Sequence, residues 1–197
     1  MNPTYDALRF CSGDIGLSAD NSLFGKTLRF FQSLWTKKAK ANHAFAFVTE
    51  SFIIEALVKI TLSLKEKYKN RTIWIYQLPL TSKERYDFSK GLASRENDAY
   101  GWDKYPLFFA DCITTWFKRT ILRQDKPCFW FTKTFHVTNI PVCSQLVVWA
   151  LYEFTSYRLK DVDGNEVSWM VISPDYLQDL LQLPVNRAKL VYTQNEQ

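Results

Sequence analysis

The chain has 197 residues, of which 47% are apolar and 16% are aromatic. This length and composition exclude a disordered chain and predict a single domain, residues 1–197, with a filled hydrophobic core. The net charge of +5 is spread along the chain without a long basic run or a nucleic-acid motif, so we expect no nucleic-acid partner.

The first half of the chain is predicted to hold most of the sheet. Apolar runs bounded by turn residues predict strands at residues 42–48, 52–57 and 72–78, and a shorter strand after the turn at Gly13-Asp14. Residues 22–35 carry apolar side chains at helical spacing with Lys and Arg between them, which predicts an amphipathic helix. We interpret residues 60–68 as a helix or a helical loop.

The second half is predicted to be mainly helical. Thr81 and Glu84 form a capping-box pattern that begins a helix reaching about residue 94. A second helix is predicted at residues 105–122, a third from Ser173-Pro174 to about residue 183, and a last edge strand at residues 189–192. The mixture of elements predicts an α+β fold.

Residues 143–154 predict a helix around which the rest of the chain is organised. This segment is apolar on nearly every side, which is typical of a core helix. Pro141 cannot lie inside the helix, so we expect it to begin near Cys143. Free amides and the helix dipole would favour the thiolate form there. Taken alone, a small buried hydrophobe is the simpler interpretation of Cys143.

A cysteine nucleophile needs a base, and the chain offers His43 and His136. If residues 49–51 form a three-residue hairpin loop, Phe45 pairs with Glu55, and His43 lies diagonally opposite Glu55 on one face of the sheet. A two-residue loop would put His43 and Glu55 on opposite faces. Spacing alone does not decide between the two histidines.

The cysteines show no metal-binding or disulfide pattern. They are Cys11, Cys112, Cys128 and Cys143. They contain no C-x-x-C pair, and with only two histidines a zinc site would need an unusual ligand set. We therefore expect reduced thiols and neither a metal nor another cofactor.

The N-terminus lacks a basic segment followed by an apolar run, and no apolar stretch of the sequence is long enough to span a membrane. We therefore expect no secretory signal and no transmembrane segment. The expected location is the cytoplasm, with a protein carried in a virion or released at lysis as the alternative.

Six short motifs follow one another along the chain. They are Gly13-Asp14-Ile15, Asn42-His43-Ala44, Ile54-Glu55-Ala56, Tyr100-Gly101-Trp102, Cys143-Ser144-Gln145-Leu146 and Ser173-Pro174-Asp175. Their order resembles the circularly permuted, NlpC-type papain-like hydrolases, the YiiX-like family in particular, over nearly the whole chain. Relative to the family pattern, Asn42 replaces a Ser, Gly101 an Asp and Gln145 a Glu, and these replacements remove no reacting group.

The resemblance implies a permuted papain-like fold, with an antiparallel sheet or half-barrel packed on the helix headed by Cys143. It implies Cys143 as nucleophile, His43 as general base and Glu55 as the group that orients the base. The backbone N–H of Cys143 would be an oxyanion donor. His136 has no counterpart in the family and is interpreted as structural. Tyr100 and Trp102 are candidate substrate-binding residues.

The activity implied by the resemblance is that of a cysteine amidase or peptidase. Its substrate would be a cell-wall peptide or a lipid-type acyl amide. Two alternatives stay open at this point, namely an acyltransferase or thioesterase on the same scaffold, and a non-enzymatic binding protein. The sequence does not indicate an oligomeric state.

Overall fold

The computed structural model describes Tyr5 and residues 9–35, 40–57, 59–99, 105–123 and 143–194. These residues form a mixed α+β structure with a six-stranded antiparallel sheet and five α-helices. The strands are β1 (Ile15–Ala19), β2 (His43–Phe47), β3 (Phe52–Ala56), β4 (Ile60–Leu64), β5 (Thr72–Gln77) and β6 (Lys189–Gln194). The helices are α1 (Leu23–Trp35), α2 (Ser82–Ala93), α3 (Tyr105–Ile121), α4 (Cys143–Phe154) and α5 (Pro174–Gln182). Short 3-10 helices cover Lys65–Tyr68, Trp169–Val171 and Pro184–Asn186.

The sheet has the strand order β4-β3-β2-β1-β5-β6, and every neighbouring pair is antiparallel. The first five strands come from the first half of the chain, where four of them were predicted. The sixth comes from its far end and pairs with β5, which confirms the predicted edge strand at residues 189–192.

Both faces of the sheet are covered by hydrophobic side chains. Successive residues of a strand point to opposite faces, so each strand contributes to two cores. The larger core joins one face to α4; its members include Leu17, Ala44, Ile54, Leu146 and Leu151. The smaller core covers the other face; its members include Phe45, Phe47, Ile53, Tyr68 and Ile75.

Strand β4 corrects the prediction of a helix or helical loop at residues 60–68. Ile60–Leu64 pairs with β3 along its whole length, and only Lys65–Tyr68 is helical, as a 3-10 turn. Apolar residues alternate there with Thr61 and Ser63, which is the period of a strand. This turn matters for the site, because it places Lys67 and Tyr68 beside the sheet.

Helix α4 is the core helix that the sequence predicted, and it begins at Cys143. Its first six residues are buried, together with Ala150 and Leu151. Each fully buried Leu or Val side chain contributes roughly 1.5–3 kcal/mol to folding relative to an exposed one. The helix packs against β2, where Ala44 and Ala46 are small enough to let it approach closely.

The turn before β1 is held by an ion pair with α2. Gly13 has a φ of 84°, a conformation that glycine adopts without strain. The buried carboxylate of Asp14 accepts the backbone N–H of Cys11 at 2.8 Å and the guanidinium of Arg85 at 3.0 Å. The Gly13-Asp14 motif therefore has a structural role, which is to anchor the start of β1 to α2.

Two predicted helix starts are confirmed. Thr81 and Glu84 form a reciprocal capping box at the start of α2. Ser173 caps α5 by accepting the backbone N–H of Tyr176, and Pro174 occupies the first turn. Among the residues described, the helices are too short or too polar to cross a lipid bilayer.

Candidate active site

His43 and Glu55 point to the same face of the sheet. Phe45 of β2 pairs with Glu55 of β3, which is the register of the three-residue hairpin loop. His43 precedes Phe45 by two residues, so it shares that face. Its Nε2 lies 3.2 Å from Oε2 of Glu55. Of the two registers that the sequence left open, the structure has the one that joins these residues.

Three donors surround the carboxylate of Glu55, which is only 1% exposed. Besides His43, the ammonium of Lys67 donates to Oε1 at 2.6 Å and the hydroxyl of Tyr68 donates to Oε2 at 2.7 Å. Burial alone would raise the pKa of Glu55, but His43, and then Lys67 and Tyr68, lower it to about 2. Glu55 is therefore an ionised carboxylate with its acceptor atoms occupied.

Cys143, the first residue of α4, meets His43 from the other side. The thiol and the imidazole lie close enough to shift each other's pKa, and the backbone amides of Ala44 and Ser144 also lower the pKa of the thiol. Because Nε2 of His43 faces Glu55, Nδ1 is the ring nitrogen left for the thiol. The imidazole thus lies between a thiol and a carboxylate.

Burial disfavours charge on both Cys143 and His43, and it is the largest single influence on each pKa. Even so, the pKa of Cys143 is lowered, because the imidazolium and the nearby amides stabilise the thiolate. The pKa of His43 is raised to about 9, first by the thiolate and then by Glu55. The arrangement favours a thiolate–imidazolium pair, which is the nucleophilic form of a cysteine site.

A second buried thiol, that of Cys112, has its pKa shifted in the opposite direction. Cys112 lies on α3, and burial raises its pKa, with the carboxylates of Asp175 and Asp111 acting in the same direction. Burial is thus common to Cys112 and Cys143, but Cys143 has a cation beside it. This difference makes Cys112 an internal reference for measurements of thiol reactivity.

The first turn of α4 is fixed to the segment that precedes α5. The hydroxyl of Ser144 donates to the carbonyl of Ile172 at 2.6 Å, and the amide of Gln145 donates to the carbonyl of Met170 at 2.6 Å. A carboxylate at position 145 could not donate this bond. The Gln145 replacement in the motif therefore has a structural reason.

Asn42, the residue before His43, is hydrogen-bonded to the segment that precedes α1. Its Oδ1 accepts the backbone N–H of Asp20 at 2.8 Å, and its Nδ2 donates to the carbonyl of Asp20 at 2.9 Å. Gly25 lies against this pair, and a Cβ there would approach Nδ2 of Asn42 to 2.6 Å. Both ends of the Asn42 amide are used, and the start of β2 is fixed as a result.

Three residues singled out in the sequence, namely Tyr100, Trp102 and His136, lie outside the described residues. Their roles stay predictions. Within the described part of the chain, no group of three or more His, Cys, Asp and Glu residues is arranged to hold a metal ion.

The sequence interpretation missed Lys67 and Tyr68 as members of the site. Treating residues 60–68 as helical gave no reason to place them next to Glu55. The signal that would have found them is the alternation of apolar and polar residues over 60–64, which predicts a strand paired with β3. The short turn Lys65–Tyr68 that follows this strand brings Tyr68 into the smaller core.

Comparisons with protein-family models and with curated proteins give no significant match. Among solved structures, the chain is similar to the one described as the crystal structure of metalloprotein yiiX from Escherichia coli O157:H7, DUF1105. The TM-score is 0.60 at 10% sequence identity, over 95% of this chain and 99% of that chain. At this identity the similarity shows the fold alone. The chain therefore has a YiiX-like α+β fold, as the order of its motifs implied.

Proposed function

We propose that this chain is a cysteine hydrolase of the circularly permuted, NlpC-type papain-like fold, built as one domain over residues 1–197. It cleaves an amide bond through an acyl-enzyme. The observation that carries the proposal is the position of His43, which is hydrogen-bonded to the carboxylate of Glu55 and lies close enough to the thiol of Cys143 for each to shift the pKa of the other. A nucleophile, a base and an orienting group in this order are the minimum that thiol catalysis requires.

In the first half of the reaction, the thiolate of Cys143 attacks the carbonyl carbon of the amide. A sulfur–carbon bond forms, and the carbonyl electron pair moves to the oxygen. As the tetrahedral intermediate collapses, the carbon–nitrogen bond breaks and His43 gives its proton to the leaving amine. In the second half, His43 removes a proton from water, which attacks the thioester and releases the acid and the thiol.

The backbone N–H of Cys143 is the oxyanion donor of this proposal. Cys143 is the first residue of α4, and the first N–H groups of a helix have no partner within the helix. The positive end of the helix dipole lies at the same place. A donor fixed in a buried site stabilises a developing oxyanion more than a water molecule does.

Glu55 keeps His43 in the required tautomer and orientation. Its hydrogen bond to Nε2 leaves Nδ1 facing the sulfur, and its charge stabilises the imidazolium. Lys67 and Tyr68 act through Glu55 as positioning residues, since their contacts are with the carboxylate. They keep a buried carboxylate ionised and stationary.

The description of the structural neighbour as a metalloprotein raises the question of a metal in this site. The residues here do not fit one. Both oxygens of Glu55 accept from protein donors, and one of those donors is the ammonium of Lys67, which would repel a cation. His43 lies between Cys143 and Glu55 and interacts with both, whereas metal ligands converge on a point. The mechanism therefore uses no metal step.

The substrate is a peptide amide of the cell wall or an acyl amide of a lipid. The test is mass spectrometry of peptidoglycan fragments and of acyl-amide lipids, incubated in heavy-oxygen water with the wild type and with Cys143→Ala. The expected result is release of an acid that carries the heavy oxygen, with the wild type alone. Transfer of the acyl group to an acceptor without heavy-oxygen incorporation would instead indicate an acyltransferase. No Cys143-dependent product from either substrate class would contradict the proposal.

A further inference from the structure

Helix α3 has polar residues on its buried side and large apolar residues on its exposed side, which is the reverse of an ordinary surface helix. The side turned into the molecule holds the buried residues Asp111, Cys112 and Thr115. The side turned to solvent holds a row of large apolar residues at positions i, i+3, i+4 and i+8, here called the outer stripe of α3: Ile113, Trp116, Phe117 and Ile121. Each is 45–59% exposed. A helix on a protein surface normally buries such a row.

The same row is covered in the first half of the helix and uncovered in the second. Phe109, one turn before Ile113, packs against Phe31 of α1 with ring centroids 4.4 Å apart. Beyond this contact the outer stripe continues to the end of α3, and Leu122, 52% exposed, follows it. Single exposed apolar residues are ordinary, but a continuous row marks an interaction surface.

The charged residues of α3 that flank the outer stripe, and the one that follows it within the described residues, are positive. Lys118 and Arg119 lie on either side of it, half-buried, and the exposed Arg123 follows the helix. Asp111 is the only carboxylate in the sequences of α1 and α3, and it is 1% exposed. The exposed surface of these two helices therefore combines large apolar side chains with cations and presents no carboxylate of its own.

We propose that the outer stripe of α3 docks on an anionic lipid bilayer, with the helix lying in the plane of the membrane surface. Trp116 and Phe117 would enter the boundary between headgroups and acyl chains, and the cations would reach the anionic headgroups. This docking is peripheral, since none of the helices in the described residues can span a bilayer. The inference does not depend on the proposed hydrolase activity.

A second copy of the chain fits this surface less well than a bilayer does. Two outer stripes placed face to face would bring Lys118, Arg119 and Arg123 of one copy close to those of the other, and like charges oppose such contact. Four side chains also provide little of the roughly 800 Å² per partner that a stable interface buries. An anionic membrane matches both the apolar row and the sign of the flanking charge.

The test is co-sedimentation of the full chain with vesicles of phosphatidylcholine alone and of phosphatidylcholine mixed with phosphatidylserine. We expect the wild type to bind the mixed vesicles and to be released by added salt. Trp116→Ser/Phe117→Ser should weaken this binding about tenfold or more, since two large apolar side chains no longer enter the boundary. The matched control is Val162→Ser/Val185→Ser, which removes two exposed apolar residues elsewhere and should bind like the wild type.

Circular dichroism and thermal melting would confirm that each variant is folded. Cys143→Ala should bind vesicles as the wild type does, which separates this test from that of the activity. The proposal is wrong if the wild type does not bind the mixed vesicles, if it binds both vesicle types equally, or if the Trp116/Phe117 variant binds undiminished. It is also wrong if light scattering shows a wild-type dimer that this variant converts to a monomer.

Discussion

Nε2 of His43 and Oε2 of Glu55 lie 3.2 Å apart across the β2–β3 hairpin, and both side chains are buried. A carboxylate in such a place is stable only when its charge is matched by donors. The same contact raises the pKa of His43 and lowers that of Glu55. The hairpin register thus determines the orientation of the imidazole beside Cys143 and contributes to its charge.

The free energy by which Glu55 stabilises the fold should be lost in acid. Its pKa is about 2 in the folded chain against an ordinary value of 4.5, so its contribution to stability is present above pH 4.5 and is lost as the pH falls toward 2. The contribution is at most about 3 kcal/mol. We expect Glu55→Gln to flatten the acid limb of the unfolding free energy, measured by denaturant titration at a series of pH values. An unchanged slope in the variant would contradict the ion-pair assignment.

The pKa of His43 should fall when the thiolate is removed. After burial, the charge on Cys143 is the main influence on this pKa and Glu55 is the next. Cys143→Ala is therefore expected to lower it from about 9, and Glu55→Gln to lower it by less. Histidine NMR titration measures both, with the His136 resonance as the reference. A pKa near 9 retained in Cys143→Ala would show that the thiolate is not the partner.

Removing Tyr68 or Lys67 as a donor to Glu55 should destabilise the fold by different amounts. Tyr68 is fully buried, so Tyr68→Phe leaves Glu55 short of one hydrogen bond and should destabilise the fold by about 1–3 kcal/mol. The Lys67 side chain is 33% exposed, and solvent screens its ion pair, so Lys67→Met should cost about 1 kcal/mol or less. Denaturant unfolding gives these values. Both variants should also lower the alkylation rate of Cys143, which a purely structural role would leave unchanged.

Gly16 should tolerate no side chain. It pairs with Phe45 across β1 and β2, and a Cβ at Gly16 would lie 2.1 Å from the Phe45 ring. That ring cannot move freely, because it stacks on Tyr68 with centroids 4.2 Å apart. We expect Gly16→Ala to destabilise the fold by about 1–3 kcal/mol and to slow the alkylation of Cys143.

The control for this substitution is Gly164→Ala. Gly164 has a φ of 82° and open space around its Cβ position, so it should lose about 1–2 kcal/mol from backbone strain without any effect on Cys143. Wild-type stability and a wild-type alkylation rate in Gly16→Ala would show that Phe45 and Tyr68 are not a rigid support.

The sequence predicted the helix headed by Cys143, the capped starts of α2 and α5, and most of the sheet, because these depend on local patterns. Two strong local signals at Cys143 were Pro141 upstream and the apolar run after it. The three-residue loop at residues 49–51 gave the correct hairpin register as one of two alternatives. The choice between them depends on contacts across the sheet that no local pattern reports.

Lys67 and Tyr68 could not be predicted once residues 60–68 were treated as helical. Their place beside Glu55 depends on the pairing of β4 with β3 and on the turn that follows, which are tertiary relationships. The alternation over residues 60–64 predicts a strand, but it does not report which strand is its partner or where the following turn places Lys67 and Tyr68.

The central claim is that His43 activates the thiol of Cys143, and the direct measurement is the rate of alkylation by iodoacetamide at each cysteine as a function of pH, read by mass spectrometry. In the wild type, we predict that Cys143 is labelled at mildly acidic pH, where Cys112 is inert because burial raises its pKa. His43→Ala should remove this labelling at acidic pH and move it to alkaline pH. Labelling of Cys143 that is no faster than that of Cys112, or that is unchanged in His43→Ala, would contradict the claim.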